Sequence, residues 1–391
     1  MDSAAGREGT PARPATETEA APRVSVVVPT YLEARNLPEL VARVCGALAR
    51  AALPAEVLVV DDDSPDDTAA VCAALAREHP VRLEVRRNER GLSSAVLHGL
   101  RRASGDVFVV MDGDLSHPPE RVPELVAALA DPDIDFVLGS RYARGGTTDE
   151  AWGWFRRLNS RGATLLARPF TRAKDPMSGF FALRRETFQR CARLDPVGYK
   201  IGLELIVKGG CRRIREVPIH FARRLHGKSK MTLKEQVDYL RHLRRLFVFK
   251  AGAWAYPIQF AFVGATGMVV DLACFALLLR VIPYQVARVL AIWTAMSSNF
   301  LLNRRITFSY ARAESAARQY VLFCGACALG AAVNWATTML LIASLEFFSA
   351  HKVAAAAAGV VAGVGFNYLL SRKLVFRVRP RPPAPPQDVA R

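Results

Sequence analysis

Apolar and polar positions alternate on two different length scales along this chain. From residue 23 to about residue 221, short β-branched runs recur at Val24–Val28, Glu56–Val60, Arg82–Arg86, Val107–Met111 and Phe136–Gly139, each of strand length. Segments with helical spacing separate the early ones, over Asn36–Leu53, Asp67–Glu78, Ser93–Ala103 and Pro119–Ala130. Strands and helices taking turns predict an α/β fold with a mostly parallel sheet covered on both faces. Ligands of such sheets sit beyond the carboxyl ends of the strands, so the residues that follow each run are the candidates for chemistry.

After about Phe249 the apolar runs lengthen. Trp254–Leu279, Val286–Leu302, Tyr320–Leu345 and Val353–Leu370 predict an all-α domain of four helices, each near the ~20 residues that span a bilayer. The segment Asn299-Phe-Leu-Leu-Asn-Arg-Arg-Ile-Thr-Phe308 recurs as Asn367-Tyr-Leu-Leu-Ser-Arg-Lys-Leu-Val-Phe376, which predicts two copies of one helical hairpin. Arg304, Arg305, Arg312 and Arg318 follow the second span, and Arg372, Lys373, Arg377 and Arg379 follow the fourth. The other connections carry little beyond Arg280 and Lys352, so the positive-inside bias puts both termini and the α/β unit in the cytoplasm; the membrane expected is the plasma membrane. Between the units, Met231–Lys250 spaces Leu233, Val237, Leu240, Leu243 and Phe247 helically, with Lys234, Arg241, Arg244 and Arg245 elsewhere on the wheel. That pattern suits a basic amphipathic helix lying in the headgroup layer, the alternative being a helix packed on its own domain.

Composition narrows the class. A chain of 391 residues that is 51% hydrophobic and 23% charged is neither wholly disordered nor fibrous. Residues 1–22 are rich in Ala, Pro, Thr and Glu and hold no apolar run, which predicts a disordered leader rather than a secretion signal. Residues 377–391 form a Pro-rich basic tail, also expected to be unfolded. The seven Cys are irregularly spaced, and Cys324-x-x-Cys327 lies within a predicted span, where small residues serve helix packing. A balance of 53 Lys and Arg against 36 Asp and Glu, net +17, calls for a polyanionic partner. Between Arg212 and Lys250 the basic residues far outnumber Glu216, Glu235 and Asp238, beside the first span, which favours a lipid bilayer and a lipid phosphate over nucleic acid.

The densest chemistry follows the fourth strand-like run, in Asp112-Gly-Asp114-Leu-Ser-His-Pro-Pro119. Two carboxylates one residue apart in a turn are costly unless a divalent cation sits between them. Mg²⁺ or Mn²⁺ would take those hard oxygens and complete its shell with phosphate oxygens and water. Asp61-Asp-Asp63-Ser-Pro65 and Pro29-Thr-Tyr31-Leu-Glu33 end two other strands with acids and an aromatic, groups suited to a flat ring and its edge donors. Asn88-Glu-Arg-Gly91-Leu-Ser-Ser-Ala95 is a glycine turn into a helix whose serines could serve only as caps.

Taken together, Pro29-Thr-Tyr-x-Glu, Asp61-Asp-x-Ser-Pro-Asp, Arg90-Gly-Leu-Ser-x-Ala and Asp112-Gly-Asp-Leu-Ser-His-Pro-Pro resemble the polyprenol-phosphate (dolichol-phosphate) mannose synthases among the GT-A, family 2 glycosyltransferases. Gly139-Ser-Arg141-Tyr, Ser160-Arg-Gly, Asp175-Pro-Met-Ser-Gly-Phe180, Gly198-Tyr-Lys and Arg224-x-x-Gly-x-Ser-Lys230 extend the likeness, which covers about Val24 to Phe249 in order. The remainder resembles a GtrA-like four-helix membrane domain. The resemblance implies a leader over 1–22, a GT-A catalytic domain over 23–230, an interfacial helix over 231–250, a transmembrane domain over 251–376 and a tail over 377–391.

It also implies roles. Pro29, Tyr31, Glu33, Val60, Asp62, Asp112, Gly113, Asp114, Arg224 and Lys230 would bind the donor nucleotide sugar, and Asp112, Asp114 and Ser116 the metal. Arg141, Arg156 and Ser160 would receive the acceptor phosphate, with Asp114 and Arg141 catalytic. The implied reaction transfers mannose from GDP-mannose to polyprenyl phosphate with inversion. A UDP-sugar donor or a non-catalytic lipid-sugar carrier are the alternatives. A phosphomonoester is already ionised near neutral pH, so this chemistry needs positioning and leaving-group stabilisation rather than a general base.

Overall fold

The computed structural model describes residues 23–149, 154–191, 193–195, 198, 200–222 and 233–377. The leader over 1–22 and the tail beyond Arg377 lie outside the described residues. The chain divides into two compact units, Met1–Lys250 and Ala251–Arg391.

In the first unit β1 (Val24–Thr30), α1 (Leu37–Arg50), β2 (Ala55–Asp61), α2 (Thr68–Leu75), β3 (Val81–Val85), α3 (Leu92–Arg102) and β4 (Val107–Val110) alternate as the periodicity predicts. They are followed by α4 (Val122–Ala128), β5 (Phe136–Ser140), β6 (Thr147–Thr148), α5 (Trp154–Ala167), β7 (Phe181–Arg184) and α6 (Arg185–Gln189). Then come α7 (Ile201–Lys208), β8 (Ile214–Pro218), β9 (His220–Phe221) and α8 (Leu233–Ala251). Seven strands form one sheet in the order β3-β2-β1-β4-β7-β5-β8, while β6 and β9 pair separately. Every pairing in the large sheet is parallel except those of β7, which runs antiparallel to β4 and β5.

Both faces of the sheet are covered. Val26, Val28, Val57 and Val59 pack with Leu37, Leu40, Val41 and Val44 of α1 on one side. Val27, Leu58 and Val60 pack with Ala95, Val96 and Leu100 of α3 on the other. Strands buried on two faces carry apolar residues at every position, which is why β1 and β2 read as continuous runs rather than alternating ones. Helix α3 approaches so closely that a Cβ at Gly99 would lie 2.4 Å from Val27 Cγ1. Four strands have no counterpart among the sequence runs: the two-residue β6 and β9, the four-residue β7, and β8, which carries adjacent Arg215 and Glu216 at the sheet edge.

Helix α8 combines two faces. Tyr239, Leu243 and Leu246 are buried with Ala167, Met177 and Leu203 of the same unit. Val237, Leu240 and Phe249 remain exposed, as do Leu165 and Leu166 of α5. The helix therefore packs on its own domain and still presents an apolar row outward.

The second unit contains α9 (Ala255–Leu278), α10 (Tyr284–Leu302), α11 (Ala316–Ser344), the short α12 (Glu346–Ala350) and α13 (Lys352–Leu370). Among the described residues three helical stretches, those that contain α9, α11 and α13, are long and apolar enough to cross a membrane; α10 is not among them. The internal repeat is visible in detail. After α10 and after α13 the chain widens into a π-helical turn, Asn303–Thr307 and Ser371–Val375. Each turn leads to a phenylalanine, and the Phe308 and Phe376 rings stack with centroids 4.6 Å apart. Asn299 and Asn367 also occupy equivalent places, where a Cβ added to Gly267 or Gly330 would lie 2.2 and 3.1 Å from them. Asp271 pairs with Arg288 at 2.8 Å, linking α9 to α10.

At the amino end of the sheet, Glu56 Oε1 accepts hydrogen bonds from Ser25 Oγ at 2.6 Å, Ser104 N at 2.6 Å and Ser104 Oγ at 2.8 Å. Burial alone would raise the Glu56 pKa, but these bonds and nearby Arg82 outweigh it and hold the carboxyl below its ordinary 4.5. A carboxyl lowered in the folded state contributes stability above its unfolded pKa and loses it as pH falls through the folded value. Denaturant titrations from about pH 7 down to about pH 3 should therefore show the stability advantage of the native protein over Glu56→Gln shrinking steadily below about pH 4.5.

Candidate functional site

Strands β1, β2 and β4 are parallel neighbours, so their carboxyl ends emerge on one rim. Just past each of them the chain reverses through a residue in the left-handed region: Leu32 (φ 66°), Asp63 (φ 54°) and Leu115 (φ 61°). Such backbone is strained for side chains other than glycine and persists where surrounding bonds hold it.

Behind β4, Asp114 is 4% exposed and its Oδ1 accepts from Ser116 N at 3.0 Å and Ser116 Oγ at 2.5 Å. Ser116 is fully buried and its hydroxyl proton is committed to that carboxylate, so it braces Asp114. Gly113 lies against the β1 end, where a Cβ would sit 3.3 Å from Thr30 Cγ2 and 3.6 Å from Glu33 Cγ. Asp112 N donates to His117 Nδ1 at 3.1 Å, which leaves the imidazole proton on Nε2. His117 stacks on Phe180 with centroids 5.3 Å apart and meets the Phe221 ring edge-on at 5.4 Å. Burial holds its pKa below the usual histidine range despite the pull of Asp112 and Asp114. The Asp112 carboxylate lies over Gly179, where a Cβ would come within 3.2 Å of Oδ1.

No three His, Cys, Asp or Glu side chains converge as a metal cage among the described residues. Asp112 and Asp114 fit a hard divalent cation that takes its other oxygens from substrate and water, as Mg²⁺ and Mn²⁺ do, rather than a structural zinc.

The neighbouring strand ends are tied to one another by hydrogen bonds. Pro29 and Val60 are paired in register and buried, and Asp62 N donates to Thr30 O at 3.1 Å. The Asp62 carboxylate accepts from Arg86 Nη2 at 2.5 Å, Arg86 Nε at 2.8 Å and Gly91 N at 2.7 Å. Asp61 instead braces the turn, accepting from Thr30 Oγ1 and from Ser64 N and Oγ. Tyr31 is 45% exposed, with the Arg90 guanidinium 5.3 Å from its ring centre. Glu33 Oε2 accepts from Asn36 Nδ2 at 2.5 Å.

Beyond β5, Arg141 makes three bonds to Asp175: N to Oδ2 at 3.0 Å, Nε to Oδ2 at 2.8 Å and Nη2 to Oδ1 at 2.7 Å. Asp175 is fully buried. The guanidinium also lies 5.3 Å from the centre of the Phe221 ring, whose edge meets His117. Tyr142 OH donates to Ser160 Oγ at 2.8 Å, bringing α5 to the same place. Asp112 and Arg141 are thus connected through His117 and Phe221 on one side and through the Asp175–Gly179 turn on the other. Arg224, Lys230 and the side chain of Arg156 lie outside the described residues.

The sequence profile of glycosyl transferase family 2 matches residues 25–191, and that of the GtrA/DPMS transmembrane domain matches residues 259–376. Over 359 residues the chain is 39% identical to the dolichol-phosphate mannosyltransferase of Pyrococcus furiosus, which covers 90% of this chain and 99% of that one. The chain belongs to the dolichol-phosphate mannosyltransferases. It is also 44% identical over 238 residues to the Saccharomyces cerevisiae dolichol-phosphate mannosyltransferase, 59% of this chain and 88% of that one. Among solved structures, glucosyl-3-phosphoglycerate synthase from Mycobacterium tuberculosis, in complex with Mn²⁺, UDP-glucose and phosphoglyceric acid, aligns at TM-score 0.45 and 22% identity, over 59% of this chain and 80% of that one.

For a dolichol-phosphate mannosyltransferase with this rim, four residues beyond those named from sequence pack around the strand ends: Arg86, His117, Asp175 and Phe221. His117 and Asp175 lie inside segments that carry the resemblance, each directly before a proline. Arg86 and Phe221 close strands, and only three-dimensional packing reveals them.

The Arg141–Asp175 pair generates a direct test. Removing one partner of a buried ion pair strands the other charge and costs about 3–5 kcal/mol, whereas an exposed pair such as Arg43–Glu39 is worth about 0–1 kcal/mol. Urea unfolding should show Asp175→Ala far less stable than the unaltered protein and Glu39→Ala nearly unchanged.

Proposed function

We propose that this protein transfers mannose from GDP-mannose to the phosphate of a dolichol-type polyprenol, with inversion at the sugar. The observation that carries the reading is the continuity of the rim: a carboxylate pair and a buried guanidinium held at the two ends of one packed assembly. The first end suits a nucleoside diphosphate and the second a phosphomonoester.

In this reading Pro29, Tyr31, Glu33, Val60 and Asp62 line the nucleotide end, with Asp62 pinned by Arg86. Asp112 and Asp114, with Gly113 between them in the chain, would hold Mg²⁺ or Mn²⁺ for the donor diphosphate, and Ser116 keeps the Asp114 carboxylate turned to its task. A bound divalent cation would neutralise charge on the departing nucleoside diphosphate. Arg224 and Lys230 add positive charge to the same phosphates. Arg141, Arg156 and Ser160 receive the acceptor phosphate, because a guanidinium fork pairs with phosphate oxygens and cannot lose its proton. His117, neutral and buried, keeps the Asp112 backbone in place and takes no proton. An ionised acceptor oxygen then needs only alignment with the anomeric carbon, and a single displacement inverts that centre.

The membrane serves catalysis too. An acceptor whose phosphate is confined to the headgroup plane meets a tethered site at raised effective concentration. The exposed apolar row of α8, with Leu165 and Leu166 of α5, supports contact with that plane from the cytoplasmic side of the plasma membrane. We assign the catalytic domain to residues 23–230 and the transmembrane domain to 251–376.

Purified full-length protein supplied with Mg²⁺, polyprenyl phosphate and a panel of GDP- and UDP-sugars should yield polyprenyl-phosphate mannose, identified by mass, from GDP-mannose. Asp114→Asn should lower turnover by about 10²–10³-fold or more while the thermal unfolding profile stays native-like. Equal turnover by that variant would remove Asp114 from the site.

A further inference from the structure

Lys200 has no part in the roles above, yet it sits at the junction of the two ends of the site. It precedes α7, and although the residue as a whole is half-buried, its ammonium lies in the interior, where Nζ donates to Met177 O at 3.0 Å. That carbonyl belongs to the Asp175–Gly179 turn. The first residue of the turn holds Arg141 by three bonds, and the last gives room to the Asp112 carboxylate. Met177 is itself buried with Ala167 of α5, Leu203 of α7 and Tyr239 and Leu243 of α8, so the turn is also seated on the helix that carries Ser160.

The charged groups whose fields reach Lys200 are Arg141, Asp175, Asp112 and Glu235. Burial and the like charge of Arg141 push its pKa down to about 7. A cation placed there is costly to fold, and an apolar chain of similar length would fill the space without that penalty. Packing alone does not account for a lysine.

We propose that Lys200 is a positioning residue for the acceptor phosphate: by tying Met177 O it fixes the turn through which Asp175 aims the Arg141 guanidinium. The inference rests on the functional reading above and adds to it a residue that acts on one substrate and not the other. Loss of the tie lets the turn relax, and Arg141 loses its aim while the Asp112 and Asp114 end keeps its own braces from His117 and Ser116. Misplacement of a positioning group by about 1 Å is enough to cost on the order of 10²-fold.

The test is steady-state kinetics of the full-length protein with Mg²⁺, each substrate varied in turn, on Lys200→Met and Lys200→Arg, with thermal unfolding in parallel. The Met variant should raise KM for polyprenyl phosphate about tenfold or more and leave KM for GDP-mannose within about twofold, and the Arg variant should recover part of the loss. An unchanged acceptor KM in the Met variant overturns the inference. So does a parallel rise of both KM values with a lowered unfolding temperature, which marks a plain structural strut. Should Lys200→Met fail to fold, the Arg variant decides alone: acceptor KM raised with donor KM unchanged supports the inference, and equal effects on both overturn it. Absence of any transfer to polyprenyl phosphate by the unaltered protein overturns the functional reading itself, a result distinct from all of these.

Discussion

A guanidinium cannot shed its proton, so burying one inside a protein demands an anion at hand. Asp175 meets that demand for Arg141, and much of the site's layout follows from it. Burial opposes the Arg141 charge, and the bonds to Asp175 outweigh that opposition and keep its pKa above the ordinary arginine value. The bonds are to the backbone amide as well as the side chain, so they fix the loop beyond β5 and not merely a rotamer. Asp175 is in turn approached from behind, where its own amide and that of Lys174 donate to Glu216 of β8. The edge of the sheet is therefore locked to the Arg141–Asp175 pair.

The parts of this arrangement that were legible in the sequence are those with a local cause. Strands buried on both faces leave continuous apolar runs, so β1, β2 and β4 could be read, and so could the acids at their ends. Asp112 and Asp114 stand out because two carboxylates so close in the chain need a reason. By contrast, β7 runs straight into α6 with no turn residue to bound it, and it takes its place through antiparallel pairing with β4 and β5. No spacing in the chain marks His117 for its place. Its meaning comes from Phe180 and Phe221, which arrive from a loop and a strand that the chain pattern does not bring together.

Helix α8 shows why a hydrophobic wheel underdetermines a helix. Spacing alone grouped Leu240 and Leu243 on one stripe, yet Leu243 is buried in the domain and Leu240 is 55% exposed. Adjacent positions on the rim of a stripe fall on opposite sides once a neighbour covers part of it. The same limit applies within the acidic triplet, where Asp61 and Asp62 are adjacent in the chain but face different partners. Residue type does not separate them; hydrogen bonding turns Asp61 to Thr30 and Ser64 and Asp62 to Arg86 and Gly91.

The paired π-helical turns of the second unit carry a consequence for how this chain can vary. Such a turn takes in one residue more than an α-helical one, and one residue corresponds to about 100° of rotation around a helix axis. Deleting it from a single half would swing either Phe308 or Phe376 away from the other and leave a large aromatic without its partner in the packed interior. Changes of length at Asn303–Thr307 and Ser371–Val375 are therefore coupled, so viable descendants lengthen or shorten the two halves together or neither of them.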